Sequence, residues 1–166
     1  IGQAFAIRHP ERLTSAMLCD TMPATPDGGE AAWGPRLKIV RDAGSVAPLA
    51  DPTMERWFTA AFKPRHTGRW HQIRETIAGT TTTGYLGCVA AILNFDFREQ
   101  HKDINAPTLV VCGDQDEGTP PAGNMLIAEN VSDGRYEEIA NARHFPNVEH
   151  PDVFNRLLMP WLEQHK

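Results

Sequence analysis

Two acids, Asp114 and Asp116, stand directly after an apolar run in "VVCGDQDEGTPP", from Val110 to Pro121. A histidine, His144, follows 28 positions after Asp116 in "NARHFPNVEHP". A carboxylate that accepts a hydrogen bond from an imidazole fixes the ring tautomer and stabilises the imidazolium. The other ring nitrogen can then take a proton from a nucleophile. Such a pair is two-thirds of a hydrolytic triad. On spacing alone the same residues also fit a turn-forming aspartate and a surface histidine, because both types are common in loops. The elements that carry them must therefore be asked whether the two side chains can meet.

"PTLVVCG" is a short, continuous apolar strand ending in glycine. Residues from Pro121 to Glu129 suit a helix with proline at its start, and "RYEEIA" reads as a weaker strand diluted by Glu137 and Glu138. One helix and one strand thus fill the span from acid to histidine. A parallel crossover of this kind brings both side chains to the rim beyond the strands' carboxyl ends. Upstream, "LTSAMLCD", from Leu13 to Asp20, reads as a strand of the fully buried type. The opening "IGQAFAIRHPERL" reads as a helix stopped at His9-Pro10. Its apolar spacing starts at Ile1 with no capping residue ahead, so the expectation is that its first turn lies outside the sequence.

Between these parts lies a segment of different character. After the turn-rich "TPDGGE", residues 31–98 carry four helical patterns. The first holds Trp33, Leu37 and Val40 and closes at Gly44. In the second, Asp51 is placed as N-cap and Pro52 at the first helical position, with Met54, Trp57, Phe58, Ala61 and Phe62 on one stripe. The third runs from Thr67 through Trp70, Ile73 and Ile77 to Gly79. The fourth follows Thr80 to Thr83 and carries Tyr85, Leu86, Val89, Ala90 and Leu93. The chain ends on an amphipathic helix, Val153 to Leu162, kinked or ended by Pro160. The class is α/β: a parallel sheet (residues 1–26 and 99–166) with a helical cap inserted at 27–98. Three strands alone would leave an apolar edge, so further strands are expected from elsewhere.

Composition narrows the function. The chain has 166 residues, 41% hydrophobic and 22% charged, with a net charge of −5, which offers no basic face for nucleic acid. No apolar run reaches the length of a membrane span. Three widely spaced cysteines, Cys19, Cys88 and Cys112, read as buried free thiols of a reducing compartment, so a cytoplasmic protein is expected. Cys112 lies inside an apolar run and reads as core, not nucleophile. No ligand pattern joins the histidines, and no metal or cofactor is expected. Asp114 reads as a turn residue, Glu149 as a cap of the last helix or a loop acid, and Asp96 with Arg98 as a structural pair.

Larger segments add to this. "IGQAFAIRHPERL", "LCDT", "WGPRLKIVRDAG", "RWFTAAF", "TTTGYLGCVAAILNFDFR", "INAPTLVVCGDQDEGTPP" and "HFPNVEHPDVF" together resemble the α/β-hydrolase family and, within it, the 3-oxoadipate enol-lactonases. The resemblance covers essentially the whole chain. It implies that Asp116 is the triad acid and His144 the triad histidine. It also implies that the family's G-x-S-x-G nucleophile elbow falls just before Ile1, and no such motif occurs among these residues. Serine and oxyanion hole are then expected from an N-terminal half, either a separate chain or further residues. The implied activity is hydrolysis of a small carboxylated enol-lactone, with a general carboxylesterase or perhydrolase as the alternative. A dehalogenase with an aspartate nucleophile also fits these residues. From another class, the chain could be a non-catalytic half-hydrolase that binds a partner. Trp33 and Arg36, near the start of the insertion, and Tyr85 are the candidate substrate contacts, with Arg36 able to meet a carboxylate bidentately. Trp57 and Trp70 read as packing residues.

Overall fold

The computed structural model describes all 166 residues. In chain order the helices are α1 (Gly2–Arg8), α2 (Gly29–Ala43), α3 (Ala50–Trp57), α4 (Phe62–Arg65), α5 (Thr67–Ala78), α6 (Thr82–Ile92), α7 (Pro121–Asn130), α8 (Pro146–Glu149) and α9 (Pro151–Gln164). The strands are β1 (Ala16–Cys19), β2 (Thr108–Gly113) and β3 (Gly134–Ile139). The chain divides into two units, one of Ile1–Ala24 with Asp96–Lys166 and the other of Thr25–Phe95.

The first unit is a parallel sheet in the order β1-β2-β3. β2 is central and buried along its whole length, as its unbroken apolar run requires. Alternation sends its side chains to opposite faces. Val110 packs with Ala6 of α1, Leu18, Ile104, and Ile127 and Ala128 of α7. Leu109 and Val111 pack with Ile139, Ala142 and Trp161 of α9. Each such side chain contributes about 1.5–3 kcal/mol by leaving water, so β2 anchors both layers.

β1 departs from its expectation. It is four residues long and only Leu18 is buried in it. Its ladder starts where Ala16 N–H meets the Pro107 carbonyl, because Pro107 has no N–H with which to continue the pairing backward. It ends at Asp20, whose φ of 44° is left-handed and no longer extended. Cys19, the last residue of β1, is exposed. Cys88 on α6 is exposed as well, so only Cys112 is the buried thiol that all three were expected to be. α9 runs through Pro160 instead of ending there. A proline inside a helix costs about 3 kcal/mol or more. Val153, Phe154, Leu157 and Trp161, on the face packed against the sheet, hold the helix together across it.

The second unit is all helical. Val40, Val46 and Leu49 form one apolar centre with Ile77, Tyr85 and Leu86. Phe58 and Phe62 stack at 4.4 Å, with Trp70 tilted at 6.1 and 6.4 Å from them, so Trp70 packs as expected. The single stripe read from Met54 to Phe62 is broken, because Phe58 is extended and α4 restarts the helix as a separate turn. Asp51 is not an N-cap. The 3-10 turn Ala47–Leu49 runs straight into α3, and Asp51 instead forms a bidentate pair with Arg74 at 2.6 and 2.8 Å. Thr81 is a true N-cap of α6, accepting from Gly84 N–H at 3.2 Å.

Candidate active site

β2 and β3 are in register to their last residues, Gly113 opposite Ile139, so both strands release the chain at one rim. There the two loops are sewn together. Asp114 N–H donates to the Ile139 carbonyl at 3.1 Å and Gln115 N–H to the Ala142 carbonyl at 2.9 Å. Asp114 Oδ1 accepts from Ala142 N–H at 3.2 Å, so Asp114 is the turn residue its position suggested. Asn141 takes a left-handed φ of 59°, which asparagine tolerates better than most residues. On the far side, Glu149 accepts from Arg143 N–H at 2.7 Å. Glu149 is buried and holds the backbone beside His144; it does not cap α9, which has no side-chain cap.

This frame brings Asp116 and His144 together. His144 Nδ1 lies 2.8 Å from Asp116 Oδ2. Asp116 is 2% exposed, while the His144 side chain keeps 24%. Asp116 Oδ1 accepts from Gly118 N–H at 2.8 Å and Thr119 N–H at 3.0 Å, and Oδ2 accepts from the Thr119 hydroxyl at 2.5 Å. Burial works to raise the Asp116 carboxyl, but hydrogen bonds from His144 and Thr119 outweigh it and hold it well below the usual carboxylate range. An ionised Asp116 accepts at Oδ2, so Nδ1 carries the ring proton and Nε2 the basic lone pair. That arrangement is competent for general base catalysis.

Three supporting residues escaped the sequence reading. Thr119, in the "TPP" after the acid, closes an Asx-type turn around Asp116; the D-x-x-T spacing was the signal. Glu149, five positions past His144, gave only a weak one. The third is Asp20, an acid directly after an apolar strand. It is 7% exposed, its Oδ1 accepts from Gly113 N–H at 2.9 Å, and its Oδ2 has no hydrogen-bond partner. Burial first, then the charge of Asp116, push the Asp20 carboxyl up to about 7, against the opposing Gly113 hydrogen bond. Burial also pushes the Cys112 thiol far up, which keeps it protonated and unsuited to act as a nucleophile.

The remaining candidates belong to the helical unit. The Arg36 guanidinium lies 5.0 Å from the Trp33 ring centroid, a cation–π pair. Burial raises the Tyr85 phenol while the charges of Arg36 and Arg56 oppose it, so Arg36 is electrostatically linked to Tyr85 as well. In the first unit, Asp96 and Arg98 form the expected exposed pair, Arg98 Nη2 to Asp96 Oδ2 at 2.5 Å.

Removing the Glu149 carboxylate leaves Arg143 N–H without this acceptor. Glu149→Ala is therefore expected to lose about 1–3 kcal/mol of stability, and Glu149→Gln, which keeps an acceptor oxygen, much less. Urea denaturation of the two variants checks this; equal losses would remove the brace from the account.

The family model for the alpha/beta hydrolase fold matches residues 1–151. The 3-oxoadipate enol-lactonase 2 of Acinetobacter baylyi is 32% identical over 93% of this chain and 56% of its own length. The crystal structure of the enol-lactonase from Burkholderia xenovorans superposes with a TM-score of 0.90 at 31% identity, over 98% of this chain and 61% of that one. A thermophilic esterase from Thermogutta terrifontis, with malate bound, gives a TM-score of 0.87 at 26% identity, covering 99% and 61%. The chain thus spans less than two-thirds of the length of each of these relatives. No helix is long and apolar enough to cross a membrane. With an acid and a histidine joined at the rim of a parallel sheet, and with this likeness over nearly its whole length, the chain belongs to the α/β-hydrolase fold family.

Proposed function

We propose that these residues supply the acid and the base of a lactone hydrolase. The observation that carries the reading is the 2.8 Å bond from His144 Nδ1 to an enclosed Asp116. In this reading a serine from residues outside the 166 attacks the lactone carbonyl while His144 Nε2 takes its proton. The tetrahedral adduct collapses, the ring C–O bond breaks, and His144 returns the proton to the departing enol oxygen. A water molecule, deprotonated by His144, then attacks the acyl-enzyme and releases the free acid and the serine. Asp116 stays ionised throughout and steadies the imidazolium.

The substrate class proposed is a small carboxylated enol-lactone, on the strength of the two enol-lactonase relatives. Residues Thr25–Phe95 are the proposed substrate cap, where Arg36, backed by the Trp33 ring and close in charge to Tyr85, is the proposed carboxylate partner. The Thermogutta esterase, which bears a dicarboxylate, supports both a carboxylated ligand and a second reading as a general carboxylesterase. The two readings separate by assay of the protein that carries these residues together with a nucleophile. Loss of enol-lactone absorbance is expected to exceed p-nitrophenyl acetate cleavage by at least about a hundredfold in kcat/KM, the scale of discrimination that specific polar contacts supply. Comparable rates on both would favour the esterase.

A further inference from the structure

The site holds a second buried carboxyl that the mechanism above does not use. Asp20 leaves the end of β1, beside the rim where β2 releases Asp116. One ligand-capable atom from each of Asp20, Cys112 and Asp116 lies within 4.8 Å of the others, and all three residues are buried. Two carboxylates this close, shielded from water, repel strongly enough that one of them keeps a proton.

The hydrogen bonds decide which one. Asp116 is met by Gly118 N–H, Thr119 N–H, the Thr119 hydroxyl and His144 Nδ1. Asp20 is met by Gly113 N–H and by the weakly donating thiol of Cys112, and its Oδ2 is unpartnered. Donors favour the ionised form of the group they serve, so the charge settles on Asp116 and the proton on Asp20. The left-handed backbone at Asp20 fits this picture, since strained conformations of non-glycine residues cluster at functional sites. A divalent cation among the same three groups would need the Cys112 thiolate and would draw Asp116 from His144. A proton on the orphan oxygen needs neither change.

We propose that Asp20 is a positioning residue of this site, a neutral carboxylic acid whose proton leaves Asp116 as the one negative charge of the acid pair presented to His144. The titratable groups coupled in charge to Asp20 are Cys19 beside it on β1, Cys112 and Tyr136 from β2 and β3, Asp116 from the turn after β2, and His144 from the loop before α8. Ionisation of Asp20 puts a second negative charge beside the imidazole. A second carboxylate there favours the imidazolium over the neutral ring that would accept the nucleophile's proton. A neutral Asp20 thereby keeps that second charge away from the ring.

The inference rests on the Asp116–His144 pairing but not on turnover, and its test reads proton positions, so the two readings fail separately. Infrared spectroscopy with isotope-labelled aspartate should show a neutral buried carboxyl band at about pH 6, outside the range where an ordinary aspartic acid is protonated. The band should fade by about pH 9 and be absent in Asp20→Asn, which keeps an oxygen for Gly113 N–H. In the same variant, the NMR titration of the His144 ring should move to a midpoint lower by roughly half a pH unit or more, and from two coupled steps to one. No neutral carboxyl band in the wild type would overturn the protonation of Asp20, whether or not the variant folds. A band that survives in Asp20→Asn would assign the proton elsewhere, and an unchanged His144 midpoint would remove the positioning role.

Discussion

On the proposed lactonase reading, and in the protein that carries these residues together with a nucleophile, Asp116→Asn is expected to lower kcat on the order of ten-thousandfold while changing KM little, the scale seen when a triad acid is neutralised with its geometry kept. The hydrogen bonds around the carboxylate dictate how the amide must sit. Oδ1 receives two backbone N–H groups, from Gly118 and Thr119, so the amide has to place its carbonyl oxygen there. Its NH2 then occupies the Oδ2 position and points at His144 Nδ1. That nitrogen becomes an acceptor, the ring proton moves to Nε2, and the nitrogen meant to take the nucleophile's proton already has one. A loss smaller than about tenfold would show that Asp116 does not control the imidazole. Stability should report the same change. The folded-state carboxyl sits below its ordinary value of 3.8, so the native state favours the ionised form. The stabilisation is complete above that value and is lost as pH falls below it toward the folded value. The asparagine variant should lack that acid-side slope.

Much of this site could be read before any coordinates, and the reason is locality. The apolar run of β2, the glycine that ends it, the acids that follow and the single crossover to His144 are short-range patterns. A strand buried on both faces must look like "LVV" whatever surrounds it. What could not be read depends on partners far apart in sequence. Asp20 matters through Gly113, 93 positions away across the β1–β2 ladder, and nothing within "MLCDT" announces that register. Glu149 reads as a helix cap because the local pattern is that of a cap. It is instead turned inward to Arg143 N–H by the way α8 folds back on the histidine loop. Asp51 failed as a cap because a 3-10 turn removed the helix start that the capping rule presupposes, while Arg74, 23 positions on, offered a better partner. Pro160 did not end α9 because apolar contacts with the sheet outweigh a missing backbone hydrogen bond. Each departure is tertiary contact overriding a local preference, and the acid–histidine pair survived because its local and long-range signals agree.

Gly113→Ala is expected to be strongly damaging to the core unit. A Cβ at this position would stand 2.3 Å from the Arg143 carbonyl oxygen, 2.5 Å from that of Ala142 and 2.7 Å from the Ala142 carbonyl carbon. These are backbone atoms that cannot swing aside as a side chain could. The glycine is required by this close approach of the two loops, and no unusual φ is involved. Forcing the loop outward breaks the bonds from Gln115 to Ala142 and from Ala142 to Asp114, and it drags His144 with it. Overpacking of this kind costs typically 1–3 kcal/mol, and with backbone as the obstacle the upper end, about 3 kcal/mol, is expected. In a domain of this size that corresponds to a fall in Tm of roughly 6–12 °C. Catalysis should suffer beyond the stability loss, because a displacement of about 1 Å at a catalytic group can cost on the order of a hundredfold in rate. Gly87→Ala supplies the contrast. It lies inside α6 with open space where its Cβ would go, so the same substitution should there stabilise the protein by about 0.5–1 kcal/mol. Thermal denaturation of the two variants side by side tests the account. If both shifted Tm by the same amount and in the same direction, the close packing of the acid strand against the histidine loop would not be what holds the pair in place.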